Sequence, residues 1–394
     1  MIKLLREYPQ FLKFWIATIA SQLASRVHSL ILIWLVYKWT NSASMVGLTM
    51  IGASLPSILI SPFAGSFVDR HNKIILMYIA DFIRMAILLG FAYLFYKNLL
   101  TIPLLITGTI IISLSSAFFN PASMAVLPQL VEKEDIRKAN ATGQIASSAS
   151  SIIGPLFGSA LIATLGETNA FVGASFLFFI SVISLFGIED KSLQTQKQTT
   201  SLLEDIKSSF SLITKYEIVS KMITKMAIIN FFFTSIVIIA PILVKGDATD
   251  MSYLMSSIGL GMLCSSILFS SKQFDIQVST LLSLSLSTMG ISFILLGFTE
   301  LLYLQNFYVF LIGMALNTFN IVLVSLYQTR LPAESLGKIM AFIVAISLSL
   351  QPVSYGVMGV VIEKLGVEDV LTISGIVILL SSYSVYRLKK LNKE

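Results

Sequence analysis

The sequence is poor in charge: Asp, Glu, Lys and Arg make up 12% of its 394 residues, about half the share of an ordinary soluble domain. A soluble fold of this size cannot cover its surface with so few charges. Cysteine is nearly absent. Cys264 is the single one and lies inside an apolar run, which excludes an intrachain disulfide and a cysteine metal cluster. The two histidines, His28 and His71, share no metal-ligand spacing, so a metal centre is not expected. No G-x-x-x-x-G-K-[ST] loop occurs, which argues against ATP hydrolysis on this chain. The net charge of +6 is not gathered on one soluble module, so a nucleic-acid partner is not expected either. The chain reads as a non-enzyme without metal or organic cofactor.

What is present is apolar sequence. Hydrophobic residues reach 55% and the mean hydropathy is +0.84. Crossing roughly 30 Å of hydrocarbon takes about 20 mostly apolar residues in a helix. Twelve runs qualify: residues 11–37, 45–68, 74–96, 99–119, 142–165 and 170–188, then 222–244, 251–269, 278–298, 307–327, 339–361 and 370–386. They do not alternate in polarity as barrel strands would, so the expected class is an all-α membrane protein. The first run exceeds a signal-peptide core and no small-residue cleavage site follows it, so it reads as a retained span. With the N-terminus inside, 21 Lys and Arg fall on the inner side and four on the outer side. The positive-inside rule then places both termini in the cytoplasm of a plasma-membrane protein.

The polar stretch 189–221 separates a six-span bundle at 1–188 from another at 222–394. Within it, Ser201 and Glu204 have capping-box spacing, and Leu202, Ile206, Phe210 and Ile213 recur helically. That pattern predicts an amphipathic helix on the inner membrane surface. The halves echo one another: charged loops at 132–140 and 332–340 each lead into a span with a central proline, Pro155 and Pro352. Such repeats fit a transporter built from two related bundles with its site between them.

The loop after the second span reads Gly65-Ser66-Phe67-Val68-Asp69-Arg70-His71-Asn72-Lys73. Asp69 and Lys73 each face the unfavourable end of a helix dipole, which calls for partners elsewhere. Gly65 permits close helix approach and Asn72 tolerates a left-handed turn. The loop resembles the G-x-x-x-D-R-x-G-R/K signature of the major facilitator superfamily, matching at Gly65, Asp69, Arg70 and Lys73 and departing at Asn72. The resemblance implies a cytoplasmic latch that stabilises one access state. In the fifth span, Ala146, Ser150, Gly154 and Gly158 form a small-residue stripe beside Pro155. Gly154-Pro155 through Ser159 is similar to the G-P-x-x-G-G motif of antiporters in that superfamily, readable as a packing face or as a hinge. Phe118-Phe119-Asn120-Pro121-Ala122, Pro128-Gln129-Leu130-Val131 and Ala139-Asn140-Ala141, with Leu55-Pro56, Pro62 and Ala80-Asp81-Phe82-Ile83-Arg84, resemble the macrolide-efflux and enterobactin-exporter branch. That likeness implies export of a drug-like or amphipathic small molecule by a monomer in the bilayer, with a proton gradient as energy source and drug resistance as the consequence.

Polar residues within spans are the remaining candidates. Thr18, Ser21, Gln22, Ser25, Arg26 and Ser29 form one stripe on the first span, expected to face a central cavity. Arg26 could bind an anionic group or snorkel to the outer interface; His28 lies off the stripe and reads as packing. Asp81, with Arg84 at i+3 on the same helix face, could couple or gate transport, or simply tether the third span. Asn230 and Thr234, with Asn317 and Asn320, could bind substrate in that cavity or join helices. Alternative functions are a siderophore or lipid-like metabolite exporter and a non-transporting receptor or scaffold.

Overall fold

The computed structural model describes residues 2–190, 217–271, 277–331 and 333–387. The predicted amphipathic helix at 201–213 lies outside these residues. The described chain is helical, and ten of its helical stretches are long and apolar enough to cross a membrane. Two compact units form, one from Met1–Thr40 and Thr49–Gln198, the other from Asn41–Leu48 and Thr199–Glu394.

The first unit opens with α1 (Ile2–Glu7), a short helix for which the sequence pattern gave no signal. Then come α2 (Pro9–Thr40), α3 (Ala43–Arg70, whose start up to Leu48 belongs to the second unit), α4 (Lys73–Tyr96), α5 (Ile102–Val126) and α6 (Ile136–Leu185). Helix α2 is central: Leu30 to Val36 are buried without interruption, as expected of a helix that is apolar all round. It packs against α6, which also packs on α4. The core at the N-terminal end gathers Leu4, Phe11, Phe14, Met77, Phe119, Val126 and Leu185. Toward the middle, Gly154 lies against the Cβ of Arg26, and Gly158 faces Leu30 and Val27. The small-residue stripe of α6 thus seats α2. The α-helix runs on through Pro155; the residue that leaves helical geometry is Gly166.

At 1.5 Å per residue, the 50 residues of α6 would extend about 75 Å, far beyond one bilayer crossing. Gly166, at φ 77° and ψ 172°, divides the run into two spans. Exactly one repeat later, 200 positions along, Gly366 at φ 87° and ψ 166° separates the last two helices. Both sit in a backbone region open essentially to glycine alone, so the repeat read from the loops extends to backbone geometry.

The second unit holds α7 (Glu217–Phe233), α8 (Ser235–Leu243), α9 (Ala248–Ser271), α10 (Val278–Gly297), α11 (Leu302–Arg330), α12 (Ala333–Leu365) and α13 (Val367–Tyr386). The hydrogen-bond ladder of the seventh predicted span is interrupted at Thr234, which keeps helical dihedrals of φ −60° and ψ −27°. The Ser354 hydroxyl of α12 donates to the Phe231 carbonyl, which a continuous helix would use for the Ser235 N–H, and Ser235 Oγ donates to Phe232 O at 2.6 Å. A side chain entering the ladder is a recognised cause of such a break. Gly261 lies against the backbone of Phe310 and Met314, and Gly313 against that of Ile258, which brings α9 to α11, while Gly290 and Gly375 face each other between α10 and α13, the small-residue packing that membrane helices favour.

Among the described residues nothing lies within 4 Å of a Cβ built on Gly166 or Gly366, so substitution there tests backbone conformation. Gly166→Ala and Gly366→Ala should each cost about 1–3 kcal/mol and by similar amounts, read from thermal melts in detergent. A neutral result at either position would show that its reversal does not need glycine.

Candidate functional site

The most elaborate polar cluster of the described residues is built around Asp81 on α4, which is fully buried. Its Oδ1 accepts from Arg84 Nη1 at 2.8 Å and from Ser21 Oγ at 3.0 Å. Its Oδ2 accepts from Ser181 Oγ at 2.5 Å. Arg84 Nη1 also donates to Ser21 Oγ at 3.2 Å, closing a triangle. The guanidinium lies 4.9 Å from the Phe119 ring centre and 5.7 Å from that of Phe178, where ring quadrupoles favour a cation. Arg84 Nε is buried with no hydrogen-bond partner. One carboxylate therefore ties α2, α4 and the second part of α6, while α5 supplies an aromatic wall.

This placement changes the reading of the first-span stripe. Ser21 does not face a central cavity; it is buried against Asp81 within the first unit. Ser25 Oγ donates to Ser21 O at 2.8 Å on its own helix, Gln22 is half-buried and Arg26 is exposed. His28 is buried and stacks on Phe91 at 6.3 Å, a packing role. In the second unit, Asn230 and Thr234 bond along their own helix, Asn230 Nδ2 to Met226 O at 2.9 Å and Thr234 Oγ1 to Asn230 O at 2.7 Å. Asn317 joins α11 to α9 through Met262 O at 2.8 Å and Ser266 Oγ at 2.9 Å. Asn320 is half-buried.

At the loop between α3 and α4, one expectation is corrected. Among the described residues nothing lies within 4 Å of a Cβ built on Gly65. Asn72 is extended, at φ −65° and ψ 115°, and caps α4: its side chain accepts from Ile75 N. A helix start needs an acceptor for its free N–H groups more than the loop needs a left-handed residue. Lys73 is buried, and its backbone N–H donates to Asp190 Oδ2 at 2.6 Å, so a carboxylate beyond α6 complements the α4 dipole. Asp69 and Arg70 are exposed.

A second cluster carried no sequence signal. Glu363 of α12 accepts from Ser42 Oγ, from Ser44 N at 3.1 Å and from Ser44 Oγ at 2.5 Å. Ser42 in turn caps α3 by accepting from Met45 N at 3.1 Å. Those hydrogen bonds hold the Glu363 carboxyl below its ordinary value. Residues Asn41–Leu48 belong to the second unit, so the clasp fixes the start of α3 there.

Among the described residues no group of His, Cys, Asp and Glu could hold a metal. The arrangement is of helices long and apolar enough to span a membrane, tied by internal polar contacts. The chain belongs to the transmembrane secretion effector family of major facilitator transporters, whose profile matches residues 5–394. It is similar to macrolide efflux protein A of Streptococcus pyogenes, 22% identical over 94% of this chain and 93% of that protein. The uncharacterized MFS-type transporter YvqJ of Bacillus subtilis (strain 168) is 22% identical over 86% of this chain and 82% of its own. Among solved structures, the nucleoside transporter NupG superposes with a TM-score of 0.78 at 12% identity, covering 96% of this chain and 100% of that one. A bacterial homologue of the iron transporter ferroportin, solved in an inward-facing state, gives a TM-score of 0.77 at 12% identity, with 96% of this chain and 99% of that one covered. The fold is that of the major facilitator superfamily.

Removing one partner of a buried pair strands the other charge, at about 3–5 kcal/mol. Arg84→Met alone should lower stability by that order, whereas Asp81→Leu combined with Arg84→Met should recover most of the loss. Thermal unfolding of the singles and the double, read as a cycle, checks this; additive losses would mean that the pair is not coupled.

Proposed function

We propose that the protein exports drug-like or amphipathic small molecules by substrate/proton antiport through alternating access. The supporting observation is the alignment with macrolide efflux protein A over nearly the whole of both chains. The excess of Lys and Arg on one side supports a cytoplasmic location for both termini. In an alternating-access cycle, substrate and protons bias two states by differential affinity.

Within that reading, Ser25, Asn230, Thr234 and Asn317 spend hydrogen-bonding capacity on their own helices or on neighbours. Gln22 and Asn320 are then the stronger choices among the candidate residues for touching substrate. Asp69, Arg70 and Lys73 form the loop that would stabilise one access state, and Gly154, Pro155 and Gly158 the face on which α6 meets α2. Asp81 and Arg84 act as a positioning pair: they hold three helices in one geometry so that the bundle moves as a body.

Purified protein in liposomes loaded with a pH dye, under an imposed proton gradient, tests the proposal with macrolides, cationic dyes and catechol siderophores. Substrate-dependent proton release with macrolides or dyes is expected. A response confined to siderophores would assign a metabolite exporter instead. Labelled macrolide accumulating with no proton movement would overturn antiport.

A further inference from the structure

The first unit carries a groove of about 490 Å³ at the N-terminal end of its bundle, lined by Lys13 of α2, Tyr78 of α4, and Phe179, Ile183 and Ser184 of α6, with Phe186 just beyond that helix. All three helices meet there close to an end. Lys13 is in the second turn of α2, Tyr78 in the second turn of α4, and Phe186 directly follows the last residue of α6. The groove therefore lies level with a membrane–water boundary, where long basic side chains and amphipathic rings collect.

Its chemistry is divided. Phe179 and Ile183 on α6 and Phe186 just after it are exposed, so they present an apolar wall to acyl chains. Tyr78 stacks on Phe82, 6.5 Å away and nearly coplanar, which fixes its ring at the groove. Lys13 is exposed, and among the described residues no carboxylate pairs with it. The Tyr78 hydroxyl has no hydrogen-bond partner among them either. An ammonium and a phenol hydroxyl, both donors, thus line the same groove as the apolar side chains. Ser184 is not a third donor to a ligand, because its hydroxyl already donates to Ile180 O at 2.7 Å.

We propose that this groove binds one anionic phospholipid, its phosphate at Lys13 and Tyr78 and one acyl chain along Phe179 and Ile183. Charge complementarity selects the occupant: a zwitterionic lipid brings its own cation next to the phosphate, which offsets the attraction to the Lys13 ammonium, whereas a head group of net negative charge leaves the phosphate to that ammonium alone. The site is independent of the transported substrate.

Native mass spectrometry of the full-length protein, with equal amounts of phosphatidylglycerol and phosphatidylcholine, tests the assignment. The wild type should retain one phosphatidylglycerol in preference to phosphatidylcholine. Lys13→Gln should lower that retention roughly fivefold, the scale of one basic side chain near an anionic surface. Lys13→Arg should preserve it, as should Lys97→Gln at the opposite end of α4, and unchanged melts would show that each variant is folded. Equal retention of the two lipids by the wild type, or equal phosphatidylglycerol retention by wild type and Lys13→Gln, would overturn the proposal. So would a photo-crosslinker at Ile183 that labels the chain's own residues 201–213 rather than lipid, because the groove would then be covered from within.

Discussion

The carboxylate of Asp81 is the contact on which the first unit most depends. Hydrocarbon offers no water to a polar group, so an ionised side chain there must find all its partners in the protein. Asp81 finds three: Arg84 on its own helix, Ser21 on α2 and Ser181 on α6. Arg84 is held in turn between the rings of Phe119 and Phe178. Replacing such a pair by well-packed apolar residues can be neutral in stability. What the pair adds is register, because two serines on different helices can reach one carboxylate in few relative positions.

The rest of the bundle is consistent with that centre. Small residues let α6 lie along α2 on one side of it, and the aromatic and aliphatic core at the N-terminal end lies on the other. The second unit uses different means. It relies on glycines set against neighbouring backbones and on hydroxyl contacts such as Ser382 Oγ with Ser283 Oγ at 2.9 Å and Ser287 Oγ at 2.8 Å. Two halves with the same spacing of loops and of the glycines at 166 and 366 thus hold themselves together with different chemistry.

The spans were legible because a bilayer imposes length and apolarity on every crossing, whatever packs against it. The Asp81–Arg84 pair was legible for a similar reason: two ionisable residues three apart inside an apolar run are conspicuous. Ser21 and Ser181 were not, since membrane helices contain many serines and most, like Ser25, bond back to their own helix. The clasp on Glu363 was hidden because its partners lie 319 and 321 positions away. Asn72 was misread in detail: its residue type suits both a left-handed turn and an N-cap, and only the geometry of α4 decides between them. The break at Thr234 depends on a hydroxyl from another helix, which no local pattern announces.

The central claim is that the Asp81 centre holds α2, α4 and the second part of α6 as one body. Hydrogen–deuterium exchange of wild type and Asp81→Asn, followed by peptide, tests it most directly. Faster exchange is predicted in all three helices together, with α9 to α11 unchanged. Faster exchange confined to the turn of α4 around residue 81, with α2 and α6 at wild-type rates, would contradict the account and reduce Asp81 to a local feature of its own helix.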